Sequence, residues 1–272
     1  MKKVDMHMHT CASDGTWDVE ELKRELIKNK IDVFSITDHD CIDNIMDMKS
    51  IIRPKDNLIF IPGTELTTDY EGREYHLTLY NYDVKNQQLL DMITWTNNNK
   101  ISTNKEYIEA YASKKFENVS VEDYNKYDYD RKRGGWKSLN YMVDKGIHSD
   151  ILVHLGDFTL SGMKAKLKRP EDVILTAKKS GGKIFLAHPS YHYRKTRMPM
   201  EELEYWLSLG IDGIECFSPY NKGEEKYYVD FCKKNNLMIS GGSDCHGMFI
   251  PARKLGLPEV KLDDLNIKEI LQ

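Results

Sequence analysis

Histidines and carboxylates recur along this 272-residue chain at one kind of position, within or just after an apolar run. The first case lies in residues 4–14, where His7 and His9 are one residue apart in a segment that reads as a short strand running into a loop that ends on Asp14. Alternate side chains of a strand share a face and rise about 3.3 Å per residue. The two imidazoles therefore stand roughly 7 Å apart at Cα and can converge on one metal ion at about 2.0 to 2.1 Å each. The pattern repeats with His39 after residues 31–36, Glu65 after residues 58–61, and His76 inside the alternating run 73–80. It repeats again with His188 after residues 183–187, and with Asp244 and His246 after residues 237–240.

Six of the nine histidines fall in this set. Burying so many polar groups side by side costs free energy unless each is paired, and metal binding removes that cost. Imidazole and carboxylate ligands suit zinc, manganese or iron, and the set exceeds what one ion can use, so two or three divalent ions are implied.

The elements that must position these residues follow an α/β rhythm. Strands are expected over residues 31–36, 58–61, 73–80, 183–187, 212–217 and 237–240, after the opening one. Chemistry at the C-terminal ends of parallel strands is the habit of barrel and open-sheet enzymes. Asp18 and Glu21 have the spacing of a capping box, and Leu22, Leu26 and Ile27 give the helix behind it an apolar face. Further helices are expected over 42–51, 170–179 with Gly181-Gly182 as its C-terminal stop, 200–209 and 224–235. The rhythm changes over residues 85–169, where helical periodicity over 89–97, 103–116, 121–127 and 138–145 replaces buried strands. This segment is read as a helical insertion covering one end of a barrel built from residues 1–84 and 170–272.

Composition narrows the function classes. A net charge of −4 and 40% apolar residues describe a soluble globular chain without the basic excess of a strong duplex nucleic-acid binder. There is no membrane-spanning run and no apolar leader at the N-terminus, so a cytoplasmic location is the expectation. Five cysteines without C-x-x-C spacing suggest neither a disulfide framework nor a thiolate zinc site. Cys11, Cys41 and Cys245 are read as small neighbours of the candidate ligands.

His-x-His at 7–9, Ser-Asp-Gly at 13–15, Thr-Asp-His-Asp at 37–40, Pro-Gly-Thr-Glu at 62–65, Ala-His-Pro at 187–189 and Gly-Gly-Ser-Asp-Cys-His at 241–246 together resemble the PHP (polymerase and histidinol phosphatase) family, in particular its stand-alone phosphoesterases. The resemblance implies a distorted, TIM-barrel-related (β/α) barrel of seven strands with a trinuclear site. It implies a first ion on His7, His9, Glu65 and Asp244, a second shared through Glu65 with His76 and His188, and a third on Asp14, His39 and His246. Asp14 stands where other branches carry histidine. Glu65, Asp244, His246 and Asp38 are the candidate catalytic residues, Asp38 and Asp40 as groups that orient imidazoles. Paired ions about 3.5 to 4 Å apart clamp a phosphoryl group and activate a water, and no G-x-S-x-G elbow competes with that chemistry.

Arg194, six residues after His188, and Arg133, in the segment 131–136, are candidate substrate contacts, with His192 and Arg253 weaker ones. His148 and His154 are expected to be structural or solvent-facing. The expected activity is hydrolysis of a small phosphorylated substrate, a nucleotide or the end of a short RNA. Histidinol phosphate is the alternative substrate, and a non-catalytic metal- or nucleotide-binding regulatory domain is the alternative of another class.

Overall fold

The apolar runs become β1 (Lys3–Asp5), β2 (Val33–Ile36), β3 (Ile59–Tyr70), β4 (Arg73–Tyr80), β5 (Lys183–Leu186), β6 (Gly213–Phe217), β7 (Met238–Gly241) and β8 (Val260–Lys261) in a computed structural model that describes residues 1–114, 118–193 and 196–271. They form one sheet in the order β7-β6-β5-β4-β3-β2-β1-β8. The neighbours run parallel apart from β3–β4, β4–β5 and β1–β8.

The sheet curls until its ends nearly meet. Beyond β1 the chain runs alongside the segment leaving β7: Met6 N–H donates to Gly241 O (3.0 Å), Asp244 N–H to His7 O (2.8 Å) and His9 N–H to Cys245 O (2.8 Å). The two-residue β8 pairs with the start of β1, and Ile239 and Asn266 form a bridge across the remaining gap. The result is a nearly closed α/β barrel of eight strands, where seven were expected; the addition is β8. The seam sets two ligand-bearing segments, 7–9 and 244–246, side by side.

The third strand differs from expectation in an informative way. Pro62-Gly63 reads as a strand end, yet β3 runs on to Tyr70. Ile36 opposite Pro62 is the last pair with β2, and from Gly63 to Tyr70 the strand pairs with β4. Gly63 is where β3 passes closest to β2, since a Cβ there would lie 2.1 Å from Ser35 Oγ and 2.8 Å from Ile36 O. The β3–β4 hairpin closes on Glu71 and Gly72, both at positive φ (52° and 75°), as a two-residue turn between right-twisted strands requires. Glu65 and His76 thereby sit inside paired strands, two residues apart in register, rather than in loops.

The helices are α1 (Val19–Lys28), α2 (Asn44–Ile51), α3 (Gln87–Ser113), α4 (Val121–Lys126), α5 (Lys137–Asp144), α6 (Ile151–Ser161), α7 (Pro170–Lys179), α8 (Met200–Ser208) and α9 (Glu225–Lys234). Asp18 and Glu21 form the reciprocal capping box at the head of α1, and Leu22 and Leu26 are fully buried beneath it. Truncating either leucine to alanine would cost about 2–5 kcal/mol. Helix α7 is capped by Ser180, with Gly181 beyond it in the left-handed conformation (φ 81°).

Two helices expected at 89–97 and 103–116 are one helix of 27 residues, α3; Phe116, at the expected end, lies outside the described residues. The polar run around Asn97 looked like a break, but it contains neither Gly nor Pro and its side chains are used. Asn97 Nδ2 donates to Asp40 O (2.7 Å) and Lys100 Nζ to Asp40 Oδ2 (2.8 Å), which ties mid-α3 to the loop after β2. Helix α6 was not foreseen. Tyr107, Ile108, Tyr111, Tyr124, Tyr141 and Met142 from α3, α4 and α5 form an apolar cluster of their own. Among the described residues no helix is long and apolar enough to cross a membrane.

Candidate metal centre

Every strand-end residue singled out from the sequence as a metal ligand reaches one place. Glu65, fully buried, is at its middle, and its two oxygens face different partners. Oε2 lies 3.2 Å from His7 Nε2, 3.3 Å from His9 Nε2 and 3.1 Å from His39 Nδ1. Oε1 lies 2.9 Å from His188 Nε2 and 3.3 Å from His76 Nδ1. Asp244 Oδ1 completes the first side, 3.4 Å from His7 Nε2 and 3.1 Å from His9 Nε2. On the far face of His9, Asp14 Oδ1 is 3.7 Å from His9 Nδ1 and 3.4 Å from His246 Nε2, while Asp14 Oδ2 is 4.0 Å from His39 Nε2.

Donor atoms within 4.8 Å of one another define three groups: His7, His9, Glu65 and Asp244; His9, Asp14, His39 and His246; and His39, Glu65 and His76. His9 and His39 each turn one ring nitrogen to one group and the other nitrogen to a second. The fit to metal rests on atoms that protein alone leaves unsatisfied. His7 Nε2, both ring nitrogens of His9, His39 Nδ1 and Glu65 Oε2 are buried without a hydrogen bond, and they are the atoms that converge. Buried polar atoms are otherwise nearly always paired. An imidazole and carboxylate set of this kind suits zinc, manganese or iron.

Electrostatics in the metal-free protein point the same way. Burial opposes ionisation of Glu65, but the His7 and His76 imidazoles and the hydrogen bond from His188 outweigh it and hold the carboxyl well below its usual range. Burial likewise opposes charge on Asp244 and Asp14, and imidazoles beside each, with Arg253 beside Asp244, keep both ionised. Against the same burial, Asp244 and Glu65 raise His9 to about 9, and Glu65 and Glu74 raise His76 to about 10. His39 goes the other way, because burial and the neighbouring His9 and His76 hold it neutral.

The surroundings hold the ligands in place. Asp38 does not touch an imidazole: its oxygens accept from Thr10 N (2.7 Å), Thr10 Oγ1 (2.6 Å) and Ser13 Oγ (2.6 Å), which pins the loop that carries Asp14. Asp40 accepts from Thr67 N (3.0 Å) and Lys100. Gly242 is required by close approach, since a Cβ there would lie 2.4 Å from His7 N. His188 and Asp244 hold φ of 28° and 50°, the left-handed region non-glycine residues avoid, and such strain persists where the surroundings over-determine it.

Sequence reasoning missed Glu215. Its Oε1 lies 3.1 Å from His7 Nδ1 and its Oε2 accepts from His188 N (2.7 Å), so one carboxylate orients two candidate ligands. The signal was present: an acid in the otherwise apolar strand β6, buried along its first four residues. Asp5, buried in β1, was missed likewise and accepts from Ser243 N (2.9 Å) and Gly256 N (2.7 Å). Tyr220 O–H donates to Asp244 Oδ2 (3.0 Å).

The candidate substrate cations sort differently from expectation. Arg133 donates from Nη1 and Nη2 to the two carboxylate oxygens of Asp144 (2.8 and 2.7 Å) on α5. Arg194 lies outside the described residues. Arg253, the weaker candidate, is at the cluster, 2.7 Å from Asp244 Oδ2 and over the Tyr220 ring at 5.1 Å. His192 Nε2 meets Glu74 O (2.7 Å). His148 and His154 are buried in the helical segment with their Nδ1 atoms 3.0 Å apart. Cys245 is buried, Cys11 and Cys41 partly so, and none of the three is in a metal-sized group.

Comparison with known proteins gives this geometry a setting. The PHP domain family model matches residues 5–156. A 5′-3′ exoribonuclease of Haemophilus influenzae is 26% identical over 264 residues, covering 90% of this chain and 90% of that protein. The 5′-3′ exoribonuclease Rnm of Escherichia coli is 22% identical over 252 residues, covering 89% and 84%. Among solved structures, a protein described as a metal-dependent phosphoesterase from Bifidobacterium adolescentis superposes with a TM-score of 0.83 at 24% identity, covering 98% of this chain and 95% of that one. An amidohydrolase from Chromobacterium violaceum, solved with sulfate and no metal, gives 0.76 at 17% identity, covering 95% and 91%.

Proposed function

The chain belongs to the PHP domain family and is a metal-dependent phosphoester hydrolase, and from that premise we propose that it removes nucleotides from the 5′ end of short RNA. The names of its relatives favour RNA over histidinol phosphate. A non-catalytic binding role has no support beside them.

The observation that carries the reading is Glu65, a buried carboxylate whose two oxygens face separate sets of imidazoles. That is the arrangement of a carboxylate shared between two cations. His7, His9, Glu65 and Asp244 would hold one ion, Glu65 with His76 and His188 a second, and Asp14, His39 and His246 a third. Divalent ions there would neutralise phosphoryl oxygens and lower the pKa of a water toward neutrality. The chain's own residues supply the rest. Glu215 fixes the His7 ring, so that Nε2 is presented to the centre. Asp38 is a positioning residue, acting through the loop that bears Asp14. Arg253 uses one guanidinium edge on Asp244 and has further N–H donors for a substrate phosphate. The helices of residues 85–169 would form a subdomain over the mouth, touching the centre's loops through Lys100 on Asp40 and Gly135 N–H on Asp14 O (2.8 Å). We place the activity in the cytoplasm, in keeping with five cysteines that form no disulfide.

The test is a panel of 5′-phosphorylated RNA pentamers, nucleoside 3′,5′-bisphosphates and histidinol phosphate with manganese-loaded protein. Stepwise release of mononucleotides from the 5′ end is expected, lost by orders of magnitude in Glu65→Ala. Turnover of histidinol phosphate without turnover of RNA would assign the chain to the alternative substrate.

A further inference from the structure

Tyr191 is the only aromatic side chain that the described residues leave in the exposed class, at 49% exposure. Its position is not random. It lies three residues after His188, and its ring centroid is 5.5 Å from the His188 imidazole at the edge of the metal centre.

The ring is held rather than loose. Tyr191 N–H donates to His188 O (2.9 Å), closing a tight turn. The preceding residue is anchored from below, where Ser190 N–H donates to Asn221 Oδ1 (3.2 Å) and Ser190 Oγ pairs with the Tyr228 hydroxyl (2.8 Å). Sideways, Tyr191 meets Tyr220 at 5.1 Å and 85°, and His192 at 5.0 Å and 81°. Both contacts are edge-to-face, and among the described residues no ring stacks parallel on Tyr191. Tyr220 in turn bonds Asp244 and lies under Arg253, which joins this aromatic edge to the charged centre.

An exposed, pre-oriented aromatic face beside a phosphate-binding centre matches what an unpaired base needs, because base–aromatic stacking tolerates any base and requires only a free π-face. We propose that Tyr191 is the stacking platform for the base of the leading nucleotide, with Tyr220 as its edge support. This rests on the RNA reading given above and adds to it the residue that grips the base.

The experiment uses the full chain loaded with manganese and two substrates: a 5′-phosphorylated RNA hexamer, and the same hexamer with an abasic ribose at its first position. Tyr191→Ala is expected to lower kcat/KM on the intact hexamer about 5- to 150-fold, mainly through KM, and to leave the abasic hexamer unchanged. Tyr191→Phe should restore the wild-type value. A 2-aminopurine at the leading position should be quenched on binding to wild type and to Tyr191→Phe, and not to Tyr191→Ala. Equal losses on both hexamers, no loss on either, or unchanged quenching would overturn the platform. Wild-type protein that neither binds nor cleaves RNA would overturn the RNA reading itself. RNA cleavage that is indifferent to Tyr191→Ala would remove the platform alone.

Discussion

Glu215→Gln isolates the contribution of a residue that touches no scissile bond. In the wild type both Glu215 oxygens accept, Oε1 from His7 Nδ1 (3.1 Å) and Oε2 from His188 N (2.7 Å), with all three groups buried. An amide has one acceptor oxygen and one NH₂ donor, so with the His7 ring protonated at Nδ1, as Glu65, Glu215 and Asp244 favour against burial, one of the two sites must set donor against donor. Leaving one buried donor unsatisfied costs about 1–3 kcal/mol. If the amide oxygen keeps the backbone N–H of His188, the His7 ring loses its orienting acceptor. Losing such a partner lowers metal affinity or activity about 10- to 100-fold. The assays are zinc affinity by competition with a chromophoric chelator and urea unfolding of metal-free protein. The expected result is an affinity loss in that range with a stability loss of about 1–3 kcal/mol. An affinity within twofold of wild type, with an unmoved unfolding midpoint, would refute the assignment.

Metal loading should release protons. His9 and His76 are raised to about 9 and about 10, so both are charged at neutral pH in the metal-free protein. Their pairing stabilises the metal-free fold fully below the ordinary histidine pKa near 6.5 and is lost as pH rises through about 9 to 10. Metal affinity should climb across that same window, with proton release seen by an indicator dye on zinc addition; affinity independent of pH would contradict it. Gly242→Ala drives a Cβ to 2.4 Å from His7 N and should cost about 1–3 kcal/mol together with metal binding, measured by unfolding and metal analysis. Arg133→Ala should change kcat/KM on RNA less than twofold and stability by less than about 1 kcal/mol, because the Asp144 pair is 41% and 39% exposed. Arg133 lowers Asp144 to about 2, so the small stabilisation it gives is present above pH ~4 and fades as pH falls to about 2.

The candidate ligands were legible because each carries its own signature, a histidine or acid within or just after an apolar run, as with His39, His188 and Asp244. The α1 capping box was legible for the same reason, since Asp18 and Glu21 satisfy a purely local geometry. What escaped depends on partners distant in sequence. Glu215 acquires its role from His7, 208 residues away. Arg133 looked free until α5 supplied Asp144, and mid-α3 looked like a linker until Asp40 gave Asn97 and Lys100 their partners. Pro62-Gly63 marks a change of neighbouring strand, which only the sheet order reveals.

If these residues form a polynuclear centre, the protein's metal content will show it. Inductively coupled plasma mass spectrometry on the protein, reconstituted with zinc or manganese and freed of excess ion, should find two to three equivalents per chain. One equivalent or none would contradict the account.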